Sequence, residues 1–126
     1  MAETGYDPKR SKVNKDKLDE FVQRDIKGDL EEVPGIGPAA VKKLAEPDAQ
    51  GNPGITTTYQ LIGAYLSLKN SECDPVSHND YFWYWLKEKG ISSHRSGIVQ
   101  CIAKKCNSFM PGLYDPSMYE SDDEEE

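Results

Sequence analysis

Five residues, Pro34-Gly35-Ile36-Gly37-Pro38, constrain this chain more than any others. Two prolines and two glycines in five positions neither continue a helix nor sit in a central strand. The flanks read as helix. Leu30 to Val33 gives a short helical turn, and Pro38 suits the first turn of a new helix. There Val41, Leu44 and Ala45 form an apolar stripe beside the polar Lys42 and Lys43, and Pro47 stops the element. Gly35 and Gly37 admit backbone angles and close approaches that a Cβ blocks. Ile36 is expected to turn inward and hold the hairpin to the core. That leaves the N–H groups of Gly37 and of the following helix start facing outward. Free N–H groups and the helix dipole together make an anion site, and a nucleic-acid phosphate fits such a site without any base being read.

The remaining chain reads as helices joined by loops. Leu18, Phe21 and Val22 share one face of a first helix, with Asn14 as its N-cap and Gly28 ending the region. Residues 47–55 form a loop. Thr56 or Thr57 caps a helix to Leu68 that carries Leu61, Ile62, Tyr65 and Leu66. Residues 69–78 read as a second loop, after which Asn79 caps a helix holding Tyr81-Phe82-Trp83-Tyr84-Trp85 and ending at Gly90. Ser92, Ser93 or Ser96 opens the last helix, with Ile98, Val99, Ile102, Phe109 and Met110, closed by Pro111-Gly112. No strand alternation, internal repeat or heptad is visible. The expectation is an all-α, compact five-helix domain over residues 14–112. A flexible N-terminal arm, 1–13, precedes it, and a disordered acidic tail, 113–126, follows.

The net charge of −7 opposes nucleic-acid binding at first sight. Residues 120–126 hold six of the 22 acids and no base, however, so residues 1–119 carry 16 acids against 15 bases, a net of −1. Local clustering, not the total, then decides what the body can bind. The tail itself reads as a solvated end, with intramolecular competition against DNA as the alternative. No apolar run reaches the roughly 20 residues of a membrane span, and the N-terminus lacks a secretory signal, so an intracellular protein without membrane insertion is expected. Three cysteines, Cys73, Cys101 and Cys106, suggest free thiols. Neither they nor His78 and His94 have metal-ligand spacing, so no metal or cofactor is expected. No nucleophile–base constellation stands out, and Asp48 lies in a Pro/Gly loop too close behind the hairpin for a catalytic acid. The chain does not read as an enzyme.

The stretch from Leu30 to Leu44, with Val33, Pro34-Gly35-Ile36-Gly37 and Val41, resembles the helix-hairpin-helix motifs of proteins that bind DNA without regard to sequence, and its fold is then SAM-like. Residues 15 to about 110 resemble the barrier-to-autointegration factor family. The matching pieces are Lys17 with Phe21-Val22, Gly35-Ile36-Gly37, Val41-Lys42-Lys43-Leu44, the run from Leu61 to Lys69, Trp85-Leu86-Lys87, and Cys101-Ile102 with Cys106 and Phe109. The resemblance implies a homodimer in which each subunit grips one double-stranded DNA, so that the dimer bridges duplexes in chromatin within the nucleus. It also implies LEM-domain nuclear-envelope proteins as partners. Carried over, the phosphate-contacting residues are Gly35, Ile36, Gly37, Ala39 and Ala40, with Lys17 and Lys15 before the first helix, and Lys42 and Lys43 adding charge. Ser93, His94 and Arg95 form a second patch, which also makes sense as an anion site at a helix start. The chain departs from the family in longer loops at 47–54 and 70–79, an N-terminus extended by about ten residues, and the acidic tail.

The aromatic run covers all sides of its helix, so it reads as core and interface in preference to a base-stacking platform. A second functional class stays open: a protein-interaction module on the same scaffold. The discriminating feature is whether Asp29, Glu31 and Glu32 crowd the hairpin mouth and repel DNA. An accessory DNA-repair domain is a third reading.

Overall fold

Asn14 opens the first helix as its sequence suggests: its side chain accepts from the N–H groups of Asp16 and Lys17, and α1 runs Lys15–Gln23. The structure is a computed structural model that describes residues 5–119. Helix α1 buries Leu18 and Phe21 on one face. A single 3₁₀ turn, Leu30–Glu32, leads into the hairpin, and α2 follows as Pro38–Ala45. Thr57 starts α3, Thr58–Ser67, through a reciprocal capping box with Gln60. Helix α4 spans Pro75–Glu88 and α5 spans Arg95–Phe109. The fold is therefore all-α with five helices. Among the described residues there is no strand, only an isolated bridge between Asp29 and Thr57.

Helix α5 is the central element and packs against α1, α3 and α4. Ile98, Val99, Cys101, Ile102, Ala103 and Cys106 on it are all fully buried. Phe82 and Leu86 of α4, Leu61 and Tyr65 of α3, and Leu44 of α2 close the core around it. Lys105, also buried, sends its ammonium to the Val22 carbonyl at 2.8 Å and to the Arg24 carbonyl. It thereby caps the end of α1, where the helix leaves carbonyls without partners.

Helix α4 begins four residues before the expected Asn79 cap. Asp74 accepts from the Ser77 N–H and Pro75 occupies the first turn, a stronger start than Asn79 offers. Asn79 lies instead one turn inside, buried, and accepts from the Tyr65 hydroxyl at 2.8 Å. Helix α5 is capped by none of the three serines. Its N-cap is His94, in the left-handed region at φ 63°.

Both expected domain boundaries also move outward. The stretch 5–13 is not a free arm: Tyr6 is buried in the core, and a 3₁₀ turn, Pro8–Arg10, packs on α5. Nor does a tail begin at 113. The Asn107 side-chain oxygen accepts from the N–H groups of Gly112, Leu113 and Tyr114, and turns the chain back so that Leu113 and Tyr114 are buried. Large apolar surfaces at Tyr6 and Tyr114 outweigh the polar composition of their surroundings. The acidic run 120–126 and the first four residues lie outside the described residues.

Candidate functional site

The hairpin takes its shape from the two glycines in different ways. Gly35 sits at φ +99°, which L side chains rarely adopt. A Cβ there would meet Ile98 Cγ1 at 3.1 Å and His94 Cβ at 3.4 Å. Ile36 follows with its N–H on the Val33 carbonyl at 3.0 Å and its side chain buried. Gly37 is exposed, has ordinary extended angles, and would meet nothing within 4 Å if it carried a Cβ. It is the N-cap of α2, and no side chain caps that helix. Pro38 has no N–H, and Val41 N–H is taken by the Gly37 carbonyl at 3.0 Å. The amides of Ala39 and Ala40 are therefore those a helix start leaves without an intrahelical acceptor.

Glu32 fixes the chain ahead of the hairpin. Its carboxylate accepts from the N–H groups of Lys27 and Gly28 at 3.0 and 2.9 Å, from the Thr58 hydroxyl at 2.7 Å, and from Arg24 at 3.2 Å. Burial pushes its carboxyl upward, but these hydrogen bonds and the Arg24 charge outweigh burial, and the net pKa is lowered.

A cavity of about 690 Å³ opens beside the hairpin. Pro34, Gly35, Ile36 and Gly37 form one wall with Glu31 and Glu32. Lys17, Glu20, Phe21 and Arg24 of α1 form the second, Lys12, Val13 and Asn14 the third, and His94 and Gly97 of α5 the fourth. Arg24 and Glu32 neutralise each other. The ammonium groups of Lys12 and Lys17 have no acidic partner among the described residues. Two acids on the rim, Glu20 and Glu31, oppose them. Asp29 is not on the wall; its side chain accepts from the Glu31 N–H.

Of the expected residues, the structure thus brings together Lys17, Gly35, Ile36, Gly37 and His94. Ala39 and Ala40 stand next to the cavity, at the start of α2. Lys15 lies outside it and is paired with Asp19 at 2.9 Å. Lys42 is exposed elsewhere on α2, and Lys43 lines a different cavity of about 470 Å³ with Trp85 and Lys89. Ser93 is exposed. Arg95 does not line the cavity: its guanidinium stacks over Trp83 at 4.2 Å and donates to the Ile91 carbonyl at 2.8 Å. The second patch is accordingly reduced to Ser93 and His94. Residues that sequence reasoning left out of the site are Lys12, Asn14, Glu20 and Arg24, which only the packing of the N-terminal segment and α1 assembles.

The aromatic run divides as a helix through a core must. Phe82 and Trp83 are buried, Trp85 is half-buried, and Tyr81 and Tyr84 are exposed. Burial pushes the Cys101 and Cys106 thiols to about 12, so neither is a nucleophile near neutral pH. Among the described residues, no cluster of three or more His, Cys, Asp or Glu side chains is placed to hold a metal ion, and no helix is long and apolar enough to cross a membrane. No protein-family model, no curated protein and no solved structure matches the chain.

Proposed function

We propose that this protein binds double-stranded DNA without regard to sequence, gripping phosphates with the 34–38 hairpin in the manner of a helix-hairpin-helix motif. One observation carries the reading: an exposed, uncapped α2 start at Gly37, held by the buried Ile36, beside the ammonium groups of Lys12 and Lys17, which have no acidic partner among the described residues. Backbone N–H groups at a helix start and adjacent lysines suit phosphate oxygens and give no base readout. The bridging of two duplexes by a homodimer, the role in nuclear chromatin and the LEM-domain partners enter the proposal from the family resemblance.

The test is titration of short, unrelated duplexes into the full chain across a salt series, repeated on a chain ending at Tyr119. Binding that ignores sequence and weakens with log salt at a slope of a few phosphates supports the reading. Tighter binding by the shortened chain adds autoinhibition by the acidic run. No binding by either at low salt overturns it. That result favours the second reading, a protein-interaction module, for which Glu20 and Glu31 on the cavity rim and the exposed Tyr81 and Tyr84 speak.

A further inference from the structure

The cavity wall formed by Lys12, Val13 and Asn14 belongs to a segment that a hairpin and its two flanking elements do not need. That segment is held from both ends of the chain. The Tyr6 and Tyr114 hydroxyls share a hydrogen bond of 2.7 Å, with the rings edge-on at 6.1 Å. Tyr6 N–H donates to Asp80 at 2.9 Å, across a Gly5 whose Cβ would collide with that carboxylate. Further along, the Ser11 hydroxyl donates to the Gln100 side-chain oxygen at 2.7 Å. Gln100 also hydrogen-bonds the Tyr114 side chain, so one residue of α5 touches both terminal segments. Val13 then lies against Gly97, where a Cβ would stand 2.9 Å from Val13 Cγ2. The path of the strap is thus set at Tyr6, Ser11 and Val13, and Lys12 sits between the last two.

We propose that Lys12 is a phosphate-contacting residue of the hairpin site and that the Tyr6–Tyr114 clasp positions it there. This rests on the DNA reading above. A lysine on a free arm loses chain entropy each time it meets a phosphate; one on a strap fixed at both sides has lost most of it on folding. The clasp makes the C-terminal segment, remote in sequence, a contributor to DNA affinity without touching DNA.

The experiment is duplex titration across a salt series with the full chain and the variants Lys12→Gln, Tyr114→Phe, Ser11→Ala and the double variant Lys12→Gln/Tyr114→Phe. Amide exchange over residues 6–13 is measured in parallel. Lys12→Gln is expected to weaken binding roughly 3- to 10-fold and to lower the salt slope by about one. Tyr114→Phe and Ser11→Ala are expected to speed exchange in the strap and weaken binding a few-fold. The double variant is expected to bind no more weakly than Lys12→Gln alone, because the clasp acts through that lysine. Wild-type binding with Lys12→Gln unchanged overturns the Lys12 assignment alone. Additive losses in the double variant, or faster strap exchange with unchanged affinity in both Tyr114→Phe and Ser11→Ala, overturn the positioning role. Absence of wild-type binding overturns the DNA reading and this inference with it.

Discussion

Replacing Gly37 by Glu separates the site from the fold, because the two hairpin glycines fail in opposite ways. At Gly37 a Cβ meets nothing within 4 Å and φ is −107°, so the substitution leaves folding intact. The new carboxylate stands where the phosphate is proposed to lie. A charge-assisted hydrogen bond lost there costs roughly 1.5–3 kcal/mol. Repulsion between carboxylate and phosphate about 5 Å apart adds roughly 1–3 kcal/mol at the effective dielectric of a protein surface. The total corresponds to a loss of affinity of about 100-fold or more. Gly35→Ala does the reverse. A residue with a Cβ held at φ +99° is strained by roughly 1–2 kcal/mol, and the Cβ presses on Ile98 Cγ1 at 3.1 Å. Its Tm is expected to fall by roughly 4–8 °C. Thermal unfolding followed by circular dichroism reads the fold, and duplex titration by fluorescence anisotropy reads the site. A Gly37→Glu protein with wild-type Tm and wild-type affinity refutes the assignment of the phosphate to the hairpin.

Three further outcomes follow from the same geometry. Glu31→Gln removes an acid from the cavity wall and is expected to tighten duplex binding a few-fold at low salt, an effect that fades as salt rises; weaker binding contradicts a phosphate site. Glu32→Gln breaks a carboxylate that holds Lys27, Gly28, Thr58 and Arg24 together and is expected to cost about 2–4 kcal/mol in urea unfolding, with an unchanged midpoint as the contrary result. Acid sensitivity has two steps. The His78 pKa is lowered by burial, so its neutral form is the one the fold favours, and stability present above about 6.5 is lost as pH falls from there toward its folded pKa. The Glu32 pKa is also lowered, so its contribution is present above about 4.5 and lost as pH falls through its folded value. A His78→Gln protein whose stability still falls between pH 6.5 and 5 as wild type does removes the first step.

The helices were legible because their signals are local. Asn14, Thr57 and Gly90 act through neighbours within four residues, and the apolar positions of α1, α2 and α5 recur at helical spacing. The hairpin was legible for the same reason, down to the inward turn of Ile36. What failed was non-local. Tyr6 meets Tyr114 across 108 positions, so nothing in residues 1–13 themselves announces a packed strap. Arg95 is expected in an anion patch with Ser93 and His94, yet its partner is Trp83 on another helix. The same applies to Lys43, whose direction is set by its contact with the Gly90 turn at the end of α4. The α4 start was a different miss: Asp74-Pro75 is a local capping signal, and it outranks Asn79 for reasons the sequence alone contains.

Charge sets how strong one hairpin can be. Lys12 and Lys17 face Glu20 and Glu31, two acids without an ion pair among the described residues, across the same cavity, and Arg24 is spent on Glu32. On the proposed reading, two cations would give one site a counterion-release slope near two, and the acids would reduce the long-range attraction further. Most of the interaction at one hairpin must then come from backbone N–H groups at the α2 start, which act only on contact. Such a site holds a duplex weakly and exchanges quickly. Two sites on one particle change that, because the second contact forms at the effective concentration set by the first. The proposed bridging and the nearly neutral body are therefore consistent. A chain with a strongly basic face would coat DNA as a monomer, whereas on the proposed reading this one would bind firmly only when two copies engage DNA together. Duplex affinity should accordingly rise with protein concentration more steeply than one-to-one binding allows, and a strictly one-to-one isotherm would contradict the coupling of binding to self-association.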